Sequence, residues 1–382
     1  MTTRAVGSAP DRTPANRRLP EDRPRRLRVG DLVEVRSAPE ILATLDERGE
    51  LDSLPFMPEM LQYCGRRFTV AKVAHKTCDT ITGTGYRRMD DAVHLAGVRC
   101  DGSAHDGCQA ACLIYWKTAW LRPVAPAAPH RPDPGDAERH TPRPPDSGDA
   151  EVPTPHPPDP GGADRLLPLL TSASRGQPAP DGRPTYRCQA TELLRAAPQP
   201  LALRSPGHYL RDVRSGNVGP WWALRAYLVG GFNRGQDLSR AHLPRWLRFR
   251  QGRRWGFLRG TATGGTPSVR TDLRPGELVR VKPKKEIMKT LDANLRNRGL
   301  GFDAEMLRFC SRTARVERRV ERSIDERTGL MRHMKNPCIV LAGVVCEGAY
   351  SANCPRSIPI YWRELWLERV GDPAAGDAQD AG

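Results

Sequence analysis

Residues Leu27–Val124 slide forward by 246 positions onto Leu273–Val370 without a gap. This constrains what the chain can fold into more than any other feature. Gly30 meets Gly276, Leu32-Val33 meets Leu278-Val279, and Thr44-Leu45-Asp46 meets Thr290-Leu291-Asp292. Glu59-Met60-Leu61 meets Glu305-Met306-Leu307, Leu95-Ala96-Gly97-Val98 meets Leu341-Ala342-Gly343-Val344, and Tyr115-Trp116 meets Tyr361-Trp362. Self-similarity at a fixed offset is the mark of duplication. Positions kept in both copies are read as the fold, and positions that differ as places where the copies specialise.

The cysteines sort on that basis. Cys64, Cys100 and Cys108 have counterparts in Cys310, Cys346 and Cys354. Cys78, His105 and Cys112 belong to the first copy alone and face Ile324, Ser351 and Ile358, whereas Cys338 stands opposite Ala92. Cys100-x4-His105-x2-Cys108-x3-Cys112 therefore gathers four soft ligands on one turn-rich segment, with Gly102 and Gly107 supplying the turns. A structural zinc site takes four such N or S donors. The candidate ligands in the first module are Cys100, His105, Cys108 and Cys112, with Cys64 and Cys78 as distant additions. A second-module set would be Cys310, Cys338, Cys346 and Cys354. The expected cofactor is zinc, with iron or an iron–sulfur cluster as the alternative for the same donors. No Cys-x2-Cys knuckle is present. The competing readings are buried structural thiols and a redox pair formed by Cys108 and Cys112.

The 382 residues suggest two or three domains, and 36 prolines and 35 glycines mark much of the chain as unpacked. Residues 1–26 read as a disordered basic arm without the apolar stretch of a secretory signal. The first module spans 27–124, a disordered Pro-rich linker 125–184, a basic helical segment 185–265, the second module 273–370, and an acidic tail 371–382. The linker has one short apolar break at Leu166–Leu170. No run of about 18 apolar residues predicts a membrane span. A cytoplasmic setting then follows, in which ten cysteines stay as thiols or metal thiolates.

Within the first module, Gly30–Val35 alternates as a half-buried strand does, and Pro39–Asp46 and Pro58–Tyr63 read as short helices. Arg67–Val73 and Val93–Cys100 read as strands. Glu59, kept as Glu305, is read as a first-turn acid that favours the helix dipole. The Gly-Asp-x-Val-x-Val opening (Gly30–Val35) and the set of short strands resemble the small SH3-like barrels. Leu54–Gly65 and Trp116–Leu121 also resemble recurring motifs of a bacterial family of tandem-module, cysteine-containing proteins, a resemblance that implies no activity. The expected fold class is α+β, with two β-rich modules carrying short helices.

The net charge of +16 is uneven: Tyr186–Gly260 holds 14 arginines and no lysine against Glu192, Asp212 and Asp237. There Arg245, Trp246, Arg248, Arg250, Arg253, Arg254 and Trp255 interleave cations with aromatics, a pattern suited to an anionic ligand. The bland alternative packs the aromatics inward and leaves only arginine in water. A high-GC genome would also enrich arginine without any ligand. The partners implied are a protein or an anionic ligand, with nucleic acid and peripheral membrane contact also open. No catalytic fingerprint is visible. The functional expectation is a metal-binding accessory or scaffold protein. The alternatives are a metalloenzyme of a biosynthetic pathway and a nucleic-acid binder, and the sequence leaves open whether the chain is an enzyme.

Overall fold

The computed structural model describes residues 26–83, 85–124, 160–202 and 205–371. Most of the expected basic arm, the first part of the linker and nearly all of the acidic tail lie outside them.

Two five-stranded antiparallel sheets organise the fold. The first uses β1 (Leu32–Val35), β2 (Arg67–Val73), β3 (Ala92–Leu95), β4 (Trp116–Lys117) and β5 (Leu121–Pro123), in the order β4-β3-β2-β1-β5. The second uses β6 (Leu278–Val281), β7 (Thr313–Ile324), β8 (Met331–Val345), β9 (Pro359–Trp362) and β10 (Leu367–Arg369), in the order β9-β8-β7-β6-β10. The order is the same in both. The alternation read in Gly30–Val35 places Val33 and Val35 inward, where both are fully buried. Gly30 and Gly276 open these strands at φ +92° and +90°, a region that favours glycine.

Helix α1 (Ala38–Leu42) starts where Glu40 accepts the backbone N–H and hydroxyl of Ser37, at 3.0 and 2.8 Å. It is shorter than the Pro39–Asp46 of the sequence reading. Thr44, just beyond its end, accepts the Trp120 indole N–H at 3.1 Å; Thr290 accepts that of Trp366 at 2.8 Å. Each core closes with an edge-on phenylalanine, Phe56 at 5.2 Å from Trp120 and Phe302 at 5.6 Å from Trp366.

The linker reading is corrected over its second half. Helix α2 (Pro160–Ala173) buries Leu166 and Leu170 completely in the first module's core, with Leu169 packed beside them. Spacings of three and four residues put these leucines on one helix face, and that burial outweighs the surrounding polar composition.

The middle segment is helical in pieces and divides in function. Helices α3 (Leu193–Ala196) and α4 (Gly207–Ser215) bind the first module. Just past α4, Asn217 bonds both the N–H and C=O of Val73, at 2.7 and 2.8 Å. Asp212 meets the fully buried Lys76 at 2.5 Å. Helix α5 (Pro220–His242) follows, and it corrects the inward packing of aromatics. Its buried face includes Ala223, Ala226 and Val229 and leaves Trp221 exposed; past its end Trp246, Phe249 and Trp255 are exposed as well. Helix α6 (Lys284–Lys289) belongs to the second module. None of the described helices is long and apolar enough to cross a membrane.

Candidate metal centre

Glu59 sits in the first turn of the 3₁₀ helix Pro58–Tyr63, as its position predicts. Its role differs from a dipole contact. The side chain is buried and faces the Cys/His segment, where Oε1 lies 3.0 Å from His105 Nδ1 and accepts the Cys100 thiol at 3.0 Å. Glu59 Oε2 is buried with no hydrogen-bond partner. The other imidazole nitrogen, Nε2, is 3.0 Å from the carbonyl of Arg187. A carbonyl only accepts, so Nε2 carries a proton.

A tight loop delivers His105 to this place. Cys100 N–H bonds Cys112 C=O at 2.9 Å and closes the segment at its base. His105 N–H reaches back to Gly102 C=O at 3.0 Å. Gly102 has φ +72°, and a Cβ there would stand 2.1 Å from the carbonyl oxygen of Cys108, so no side chain fits.

Among the described residues, Glu59, Cys100 and His105 form the trio whose ligand atoms lie within 4.8 Å of one another. One carboxylate, one thiol and one imidazole can together hold zinc or iron. Burial alone would raise the Glu59 carboxyl, but the hydrogen bond and charge of His105 and the bond from Cys100 leave it below its ordinary range. Burial would likewise lower His105, and Glu59 reverses that. Without a metal, Glu59 and His105 thus each favour the charged form of the other. Burial, then Glu59, push the Cys100 thiol far up.

Cys100 and His105 of the trio border a cavity, which Cys108, Cys112, Cys188 and Arg356 line among others. Burial pushes Cys112 up to about 11 and Cys188 up to about 12. Of the sequence candidates, Cys100, His105, Cys108 and Cys112 thus surround one space. Cys64 does not join them; it packs against the first module's core. Cys78 also stands apart, at Cys354 of the second module, whose sulfur accepts its N–H at 3.2 Å.

Sequence reasoning missed Glu59 and Cys188 as members of the site. Cys188 lies outside the repeat, so the comparison of copies says nothing about it. It is placed by its neighbour Gln189, which substitutes for a strand. Gln189 accepts Tyr115 N–H at 2.8 Å and donates to the carbonyls of Tyr115 and Pro55 at 2.9 and 3.0 Å. The signal available for Glu59 was its retention as Glu305.

The second-module set does not converge. Cys310 packs against that module's core, and Cys338 lies between Val320 and Val340. Cys354 faces Cys78, and Cys346 stays near Glu305. Glu305 is buried like Glu59, but Ser351 occupies the place of His105. Burial therefore raises the Glu305 carboxyl instead.

In the Arg/Trp stretch, Arg254 chelates Asp237 at 2.8 and 2.7 Å, and Arg248 donates to the carbonyl of Leu243 at 2.8 Å. Arg250 lies over Trp255 at 6.0 Å and Arg253 over Phe257 at 4.8 Å. Arg245 and Trp246 project into solvent. No protein-family model, curated protein or solved structure matches the chain.

Proposed function

We propose that the protein is a metal-binding accessory protein that holds zinc or iron in its first module and uses the paired modules as a scaffold for a partner. The observation that carries this reading is the buried convergence of Glu59, Cys100 and His105, with Glu59 Oε2 left unpartnered. A buried carboxylate oxygen without a donor is costly, and a cation at that point would remove the cost. The cavity thiols Cys108, Cys112 and Cys188 are the source of a fourth ligand. We take the modules as diverged copies of one SH3-like unit. The 246-residue offset and the common strand order support that. A reducing, cytoplasmic setting fits ten cysteines that are all free.

The metalloenzyme reading has one observation in its favour. Cys100 and His105 of the trio line a cavity, and three protein ligands plus an open position are what a catalytic metal needs. Cobalt substitution separates the readings: the thiolate charge-transfer band counts sulfur ligands, and the d–d bands tell a closed tetrahedron from an open site. Elemental analysis of the purified full chain tests both. About one metal per chain is expected, with Glu59→Gln and His105→Ala each losing it. A folded protein without metal after supply of zinc and iron would refute both readings.

A further inference from the structure

The outward face of α5 and the turn after it expose apolar side chains that no other part of the described fold covers. Trp221, Leu224, Leu228 and Phe232 follow one another at spacings of three and four residues, which puts them on one helical stripe. Trp221 and Leu228 are 70% and 58% exposed, while the opposite stripe of Ala223, Ala226 and Val229 packs inward. Small residues inside and large apolar ones outside reverse the pattern of an ordinary surface helix. Phe232 carries the stripe onto Phe249 at 6.3 Å and Trp255 at 5.8 Å. At the tip of the turn Trp246 is 82% exposed. Contiguous apolar exposure of this kind marks an interaction surface.

The charge of the same segment has one sign. Pro220–Gly260 contains nine arginines and no lysine, and its one acid, Asp237, is already held by Arg240 and Arg254. We infer that this surface docks peripherally on an anionic lipid bilayer. The stripe and Trp246 enter the boundary between headgroups and acyl chains, and the arginines meet lipid phosphates. A single-stranded nucleic acid would match the arginines and aromatics, but its bases offer nothing to the exposed Leu224, Leu228, Leu243 and Leu247. A protein interface also favours arginine and aromatics at its edges, but its fully buried core is depleted of charge. Here Arg245-Trp246, Arg248-Phe249-Arg250 and Arg254-Trp255 alternate residue by residue. A bilayer interface accommodates both kinds of side chain at every position. Docking is independent of the metal centre.

The test is co-sedimentation of the full chain with vesicles of phosphatidylcholine alone and of phosphatidylcholine mixed with phosphatidylglycerol. Pelleting with the anionic vesicles only is expected, with a blue shift of tryptophan emission. Each basic residue at an anionic surface contributes about fivefold, so the triple variant Arg245→Gln, Arg250→Gln, Arg253→Gln should lose about 100-fold in partition at low salt. Trp246→Ser with Leu247→Ser should lose about tenfold or more at every salt concentration. All five side chains are exposed, and near-UV circular dichroism checks that each variant stays folded. His105→Ala should bind vesicles as the unaltered chain does, which separates this inference from the metal reading. Three results would overturn it: no pelleting with anionic vesicles, equal pelleting with both vesicle types, or unchanged pelleting of both variants. A labelled single-stranded oligonucleotide that binds the chain and that anionic vesicles fail to displace would overturn it in favour of nucleic acid.

Discussion

The sulfur of Cys354 accepts the backbone N–H of Cys78 at 3.2 Å, so one of the first module's two unmatched cysteines touches the second module. The converse contact exists at the positions 246 residues away: Cys108 Sγ accepts the N–H of Ile324 at 3.4 Å. Thr80 donates to Glu326, its own counterpart. Arg99 spans the carbonyls of Ala111 and Ser357, also counterparts, at 2.9 and 3.1 Å. Patch i meeting j while j meets i is the contact pattern of a two-fold dimer interface, realised here within one chain. The Glu59–Cys100–His105 trio breaks the symmetry, because Ser351 stands in the place of His105.

Cys108→Ser and Cys354→Ser should therefore share one effect and differ in another. Each weakens a sulfur contact across the modules, at a cost of about 1–3 kcal/mol for a buried hydroxyl that is poorly matched. Only Cys108 lines the cavity beside Cys112 and Cys188. Both variants are expected to melt earlier, and only Cys108→Ser to alter bound metal or the cobalt spectrum. Equal metal loss from the two would place a ligand at Cys354.

Arg356 ties the interface from the second module's side. It is 5% exposed and bonds Thr80 at 2.7 Å and Glu326 at 3.0 Å. Truncating one member of a buried ion pair leaves the other charge unpaired. Arg356→Ala should cost about 3 kcal/mol in chemical denaturation, reduced because Glu326 keeps some solvent contact. Adding Glu326→Ala should restore part of the loss. Strict additivity of the two would show that the pair carries no coupling.

Helix α2 is predicted to be part of the first module's stability. Leu170 lies against the position of Gly49, whose added Cβ would come 3.2 Å from Leu170 Cδ2. Leu170→Ala should cost about 2–4 kcal/mol. Hydrogen exchange should find the amides of Leu169–Ala173 protected to the level of β2. Exchange at the rate of an unstructured peptide would mean that the helix does not pack in solution.

Much of the fold was legible because it rests on period and repetition. The alternation in Gly30–Val35 and the paired tryptophans each placed a core residue, and Pro58 began a helical turn where expected. What was not legible depends on which face a segment presents. Leu166 to Leu170 is too short to override the composition of the residues around it, although its burial decides the helix. Which way the aromatics of the middle segment face was left open, because the inward face of α5 is made of small residues, which carry little hydrophobic signal. At the candidate site, spacing had singled out the loop residues Cys100 and His105, which the fold brings together. Glu59 and Cys188 come from distant segments, and tertiary packing alone brings them there.

The last prediction concerns acid. His94 is fully buried, with Nδ1 2.9 Å from the Ile114 carbonyl and Nε2 without a partner, the pattern of a neutral ring. Burial lowers it to about 4, and burial together with the charge of Lys76 lowers His75 to about 3. Both rings are uncharged when folded at neutral pH. Once unfolded, each takes up a proton below about pH 6.5. The unfolded state then binds more protons, so the stability contributed by the neutral rings is complete above that pH and is lost as pH falls toward the folded values. Each ring contributes a slope of about 1.4 kcal/mol per pH unit in that window. Glu40, lowered to about 2 by its bonds to Ser37, acts only below about pH 4.5. His105 is shifted the other way, so its contribution is intact in acid and lost only as pH rises. His94→Asn keeps a donor for Ile114 and removes the titration. Denaturation between pH 6.5 and 4.5, run with chelator so that metal release does not contribute, should show a shallower loss for the variant by about 1.4 kcal/mol per unit. Identical slopes would mean that His94 is already charged, or solvated, in the folded protein.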